Sequence, residues 1–101
     1  MSQKRRDRLT IMAEILNAAR EGTVKTQIMY RADLSFAQLR QYVTFLQEVK
    51  LLRVNTENGR TIYKRTPKGV RYLETFAEIK GLLKKTSEHN PMHRQPYWTG
   101  P

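Results

Sequence analysis

The sequence contains no cysteine. A disulfide framework, a thiolate nucleophile and a cysteine zinc site are excluded together. Histidine is nearly absent: His89 and His93 stand four residues apart, but Pro91 between them breaks the helix that would set both on one face. No third ligand lies near them, so no metal is expected. There is no Gly-rich phosphate loop, no nucleophile elbow and no clustered carboxylate pair. Neither catalysis, nor a cofactor, nor a small-molecule ligand is expected. No apolar run approaches the ~18 residues of a membrane span, and the N-terminus has no apolar signal core. The expectation is an intracellular protein without a membrane partner.

Acidic residues are also few. Nine Asp and Glu face nineteen Lys and Arg, for a net charge of +10. Beyond residue 85 the formal charges are Glu88 and Arg94, which cancel, so the whole excess lies on residues 1–85. Such an excess points to a polyanion, nucleic acid first. The plainer alternative is a solubilising surface. A chain of 101 residues with 39% hydrophobic content fits one domain with a modest core and polar extensions.

The periodicity divides the chain. Residues 1–8 form a basic arm carrying Lys4, Arg5, Arg6 and Arg8. Met12, Ile15, Leu16 and Ala19 share one face of a first helix over Asp7 to Arg20, with Leu9 extending that stripe backwards and Gly22 ending it. A second helix spans Val24 to Ala32, with Thr23 as its N-cap. Asp33 and Leu34 make a turn. Ser35 opens a third helix that runs to Lys50; S-F-A-Q is a capping box, and Leu39, Val43 and Leu46 point inward. Leu52 to Thr56 reads as a strand, Asn58-Gly59 as a hairpin turn, and Arg60 to Arg65 as the return strand. Thr66-Pro67 launches a fourth helix to Lys85. Residues 86–101, with three prolines and P-Y-W-T-G-P, read as a flexible tail or an aromatic hook for a partner.

Three helices, a hairpin and a fourth helix give a mainly α fold with a small β-hairpin, the order of a winged helix-turn-helix over residues 9–66. The third helix is then the recognition helix. At 100° per residue its outward face holds Ala37, Gln41, Thr44 and Glu48, flanked by Arg40, Gln38 and Phe45. Gln pairs with adenine and Arg with guanine, while Ala37 or Phe45 meets a thymine methyl; Phe45 is equally readable as a core residue. Ser35 and the helix N-terminus suit a phosphate. Lys25 and Phe36, at the starts of the second and third helices, complete the candidate set there. On the wing, Arg53, Arg60 and Lys64 are the expected backbone contacts, with Arg5 and Arg6 of the arm. Lys64 and Arg65 alternate across the strand and cannot share a target.

The segments T-V-K-T-Q-I-M-Y-R-A-D-L-S-F-A-Q-L-R-Q-Y-V and N-G-R-T-I-Y-K-R-T-P-K-G carry a resemblance. Over about residues 9–85 the chain resembles the small archaeal winged-helix DNA-binding proteins, a group that includes a basic chromatin-associated protein of Sulfolobus. The resemblance implies double-stranded DNA binding, little sequence specificity in some members, and dimerisation through the last helix. It places the protein in the cytoplasm with the nucleoid, as a transcriptional regulator or an architectural protein.

The last helix supports a homodimer on its own residues. Tyr72, Phe76, Ile79 and Leu83 are spaced four, three and four, an a/d seam of about two heptads, and Val70, Leu73 and Ala77 make a second stripe. One stripe can pack on the domain and the other on a partner. So short a seam suggests an antiparallel pair braced by the domains over residues 67–85. Two other classes of function remain open: a winged helix that serves as a protein–protein adaptor through Phe45, Tyr97 and Trp98, and an RNA-binding module, which no RRM or KH signature supports.

Overall fold

A computed structural model describes residues 6–84. Its elements are α1 (Arg8–Ala18), α2 (Lys25–Ala32), α3 (Phe36–Glu48), β1 (Leu52–Glu57), β2 (Arg60–Arg65) and α4 (Pro67–Leu83). Arg5 of the arm and the tail with His89, His93, Tyr97 and Trp98 lie outside the described residues.

α1 starts on Asp7, whose carboxylate accepts from the Thr10 backbone N–H at 2.8 Å. That bond holds the Asp7 carboxyl below its ordinary value. Ile15 and Leu16 of α1 are fully buried against Ile28 of α2 and Leu39 and Leu46 of α3. Each such side chain contributes roughly 1.5–3 kcal/mol by leaving water. Leu9 departs from its expected place in this stripe. It is 54% exposed, in the first turn of α1, N-terminal to the buried Met12, Ile15 and Leu16.

The α2–α3 turn uses Asp33 in the left-handed region, φ 56°, as the α2 C-cap. The α3 capping box forms as expected: the Gln38 N–H donates to Ser35 Oγ at 3.1 Å, and the Ser35 N–H donates to Gln38 Oε1 at 2.9 Å. β1 and β2 pair antiparallel from Leu52↔Arg65 to Glu57↔Arg60. Asn58 (φ 51°) and Gly59 (φ 78°) turn the hairpin, both left-handed as a two-residue type I′ turn demands.

Thr23 is not the cap of α2. Its backbone exchanges hydrogen bonds with Tyr63, 2.9 and 2.7 Å, adding a third rung beside β2. Val24 takes the cap position and supplies no side-chain bond.

α4 grows from a tightly bonded junction. Thr66 Oγ1 accepts from the Gly69 N–H at 3.0 Å, as the expected N-cap, and donates to the Lys50 carbonyl at 2.6 Å. Lys68 Nζ donates to the Val49 carbonyl at 2.9 Å and so caps the end of α3. Tyr72 and Leu73 pack on the core, and the Tyr72 hydroxyl donates to the Leu9 carbonyl at 2.7 Å. Burial, chiefly, raises the Tyr72 phenol above its ordinary value. From Ala77 onward every residue of α4 is exposed.

Candidate nucleic-acid interface

α3 presents Ala37, Gln38, Arg40, Gln41, Thr44 and Glu48 to solvent, opposite the buried Leu39, Val43 and Leu46. Their capacities differ. The Gln38 carbonyl oxygen is committed to the Ser35 N–H, so the intact capping box leaves Gln38 without the acceptor that bidentate adenine pairing requires. Thr44 Oγ1 donates to the Arg40 carbonyl at 2.9 Å and keeps only its lone pairs for a base. Gln41, exposed at the middle of the face, is the amide best placed to use both ends. Phe45 is 47% exposed and is not a core residue. With Leu9, Met12, Tyr42, Arg8 and Gln41 it lines a groove of about 310 Å³ between α1 and α3.

The wing gathers three of its four cations on one side. Side chains alternate along a strand, so Arg53, Asn55 and Glu57 share a face with their partners Lys64, Ile62 and Arg60. Arg53, Arg60 and Lys64 therefore point the same way, and Arg65 points to the other face, where it is half-buried. Arg53 stands directly across from Lys64, a like-charge pair that disfavours the hairpin. Glu57 stands across from Arg60, which gives the one acid of the wing a favourable cross-strand neighbour. Among the described residues the sole ion pair is Arg6–Glu14, remote from the wing.

A crevice of about 320 Å³ joins the wing to the start of α2, lined by Val24, Lys25, Thr26, Arg60, Thr61 and Tyr63. The first turn of α2, beside this basic crevice, has no acidic residue and no side-chain cap. Thr26 and Thr61 also line this crevice, and the sequence pattern did not single them out. One signal pointed to this end of α2: Lys25 begins a helix, where the macrodipole disfavours a cation, and no acidic residue of the first turn offsets it. Lys25 also reaches α3, its Nζ lying 4.3 Å from the centre of the Phe36 ring. Arg60, Lys25, Phe36 and Arg40 thus form a continuous surface across the wing, α2 and α3.

Arg6 does not join them. Its guanidinium pairs with Glu14 and donates to the Ala32 carbonyl at 2.7 Å and the Asp33 carbonyl at 3.2 Å. It ties the start of the chain to the C-terminal end of α2, a role inside the fold. The four seam residues of α4 divide. Tyr72 and Phe76 are half-buried, with their rings 6.1 Å apart and parallel within 8°. Ile79 and Leu83 are 49% and 77% exposed.

A helix pair with a tight turn, a basic wing and a polar outward face on the second helix define a winged helix-turn-helix. Residues 5–84 match the family model described by that name, and the chain belongs to the winged helix-turn-helix family. An uncharacterised protein of Methanocaldococcus jannaschii is 35% identical over 80 residues, 78% of this chain and 36% of that protein. The chain therefore spans about a third of that relative's length. Among solved structures, the DNA-binding protein Sso10a-2 of Sulfolobus solfataricus superposes with a TM-score of 0.68 at 31% identity, covering 77% of this chain and 85% of that one. BpsR of Bordetella bronchiseptica, whose DNA binding is regulated by 6-hydroxynicotinic acid, superposes with a TM-score of 0.66 at 17% identity, over 80% of this chain and 67% of that one. This second likeness concerns the fold alone.

Proposed function

We propose that the protein binds double-stranded DNA as a homodimer, as a nucleoid-associated regulator or architectural protein. The observation that carries this reading is the single-sided wing. Arg53, Arg60 and Lys64 share one face, and no acid forms an ion pair with any of them among the described residues. Placing Arg53 against Lys64 costs stability that a polyanion returns. In this reading α3 enters the major groove with Gln41 foremost. Ser35, Lys25 and the wing cations hold backbone, and Arg5 adds a contact from the arm.

The test is duplex binding by fluorescence anisotropy across a salt series. Four to six phosphate contacts per protomer give a slope of log affinity against log salt of about −4 to −5 for each protomer engaged. A flat slope, or no binding at low salt, refutes the reading. Preference for RNA over duplex DNA in competition turns it toward an RNA partner. The exposed Leu9–Phe45 groove favours one other reading, a protein-binding adaptor. A partner retained after nuclease treatment, together with weak duplex affinity, would support that instead.

Two copies joined through α4 are part of the proposal. Ile79, Leu82 and Leu83 are exposed where the helix extends past its own domain, apolar surface that a second copy would cover. An antiparallel pairing of the seam sets Phe76 against Ile79 and Tyr72 against Leu83. Light scattering should give about twice the 11.9 kDa chain mass. Ile79→Asp should return the single-chain mass with the domain still folded. A single-chain mass for the unmodified protein rules the seam out.

A further inference from the structure

We propose that Lys25, Phe36 and Arg40 form one clamp for a backbone phosphate of duplex DNA, with Phe36 as the positioning residue. The inference rests on the duplex-binding reading above. Lys25 is the first residue of α2; Phe36 and Arg40 lie one turn apart in α3. The Lys25 ammonium is 4.3 Å from the centre of the Phe36 ring, and the Arg40 guanidinium carbon is 5.7 Å from the same centre. Both fall inside the range in which a cation feels the ring quadrupole.

Two cations on one ring repel each other, and neither joins a carboxylate in an ion pair among the described residues. Phe36 is 44% exposed, so it is not explained by the core. What it does is gather two like charges from two different helices. The complement of such a site is one anion with several oxygens, able to accept from both heads at once. A backbone phosphodiester has that chemistry, and the site adjoins the Lys25–Arg60 crevice of the wing.

The clamp changes the role of Arg40. A guanidinium held beside Phe36 for phosphate does not reach into the groove to read guanine. Arg40 then supplies affinity, and base discrimination along α3 falls to uncharged groups such as Gln41. Phe36 acts through the two cations, holding them in place before DNA arrives.

The test combines a mutant cycle with two duplexes, one of alternating A·T and one of alternating G·C pairs. Arg40→Ala should weaken both duplexes alike, by about 8-fold at 0.1 M salt, and reduce the salt slope by about 0.9. Phe36→Leu keeps the apolar bulk and removes the aromatic face. It should weaken binding about 2- to 5-fold with an unchanged melting temperature. The same change in a Lys25→Ala, Arg40→Ala background should do almost nothing, and Phe36→Tyr should restore binding. Three results overturn the clamp: a Phe36→Leu effect that persists in full without the cations, Phe36→Tyr binding no better than Phe36→Leu, or loss from Arg40→Ala confined to G·C duplex. Wild-type protein that binds no duplex removes both the clamp and the DNA-binding reading. Binding with an additive cycle removes the clamp alone.

Discussion

Gly69→Ala should destabilise the domain by about 1–3 kcal/mol, a fall in melting temperature of roughly 5–20 °C. Gly69 is buried in the first turn of α4 with helical backbone, so no unusual dihedral demands glycine. The demand is close approach. A Cβ there would lie far inside van der Waals contact of the Leu51 carbonyl oxygen and within 3.3 Å of the Arg65 Cβ. Neither neighbour can yield easily. The Leu51 carbonyl accepts from the Thr66 N–H at 3.0 Å, and the Arg65 N–H donates to the Ala19 carbonyl at 3.1 Å. The internal control is Gly81→Ala, where the added methyl meets nothing within 4 Å. That change should stabilise by about 0.5–1 kcal/mol through helix propensity. Thermal melting of both variants checks the pair. Equal behaviour would mean that α4 does not leave the wing as described.

The second large effect is on binding. Replacing Arg53, Arg60 and Lys64 together by Ala should, for each protomer engaged, reduce the salt slope by about 2.7 and weaken duplex affinity by about 10²- to 10³-fold at 0.1 M salt. Each lost phosphate contact forfeits roughly 0.9 decade at that concentration, and the three side chains share one face. The fold should survive, because the lost Glu57–Arg60 pairing is offset by the lost Arg53–Lys64 opposition. Arg65→Ala is the contrasting variant. It lies on the other face and should leave the slope unchanged. Anisotropy titrations at four salt concentrations would separate the two outcomes. An unchanged slope in the triple variant would remove the wing from the interface.

Much of the fold was legible because local chemistry was consistent with it. The Ser35–Gln38 box, the Asn58-Gly59 turn and the Thr66-Pro67 start each depend on residues within four positions of one another, and all three formed. Thr23 failed for the opposite reason. Its cap potential is local, but Tyr63, forty residues on, claims its backbone for the sheet. Arg6 read as one more free cation of the arm until Glu14 and the end of α2 surrounded it. Leu9 matched an apolar pattern that does not say where a core stops, and Phe45, on the flank of α3, could be read either way until packing left it exposed.

The sequence by itself determined the order of elements, the inward stripes of α1 and α3, the parity of the wing and the excess of cations. These follow from periods of 3.6 and 2 residues and from counting charges, which need no knowledge of neighbours. Only the tertiary structure decided which cations are spent and which remain. Arg6 and Lys68 are used up on Glu14 and on helix-end carbonyls, while Lys25 and Arg40 are brought from separate helices onto one ring. The physical reason is that a side chain's charge belongs to the residue, but its partner is fixed by packing between elements distant in the chain.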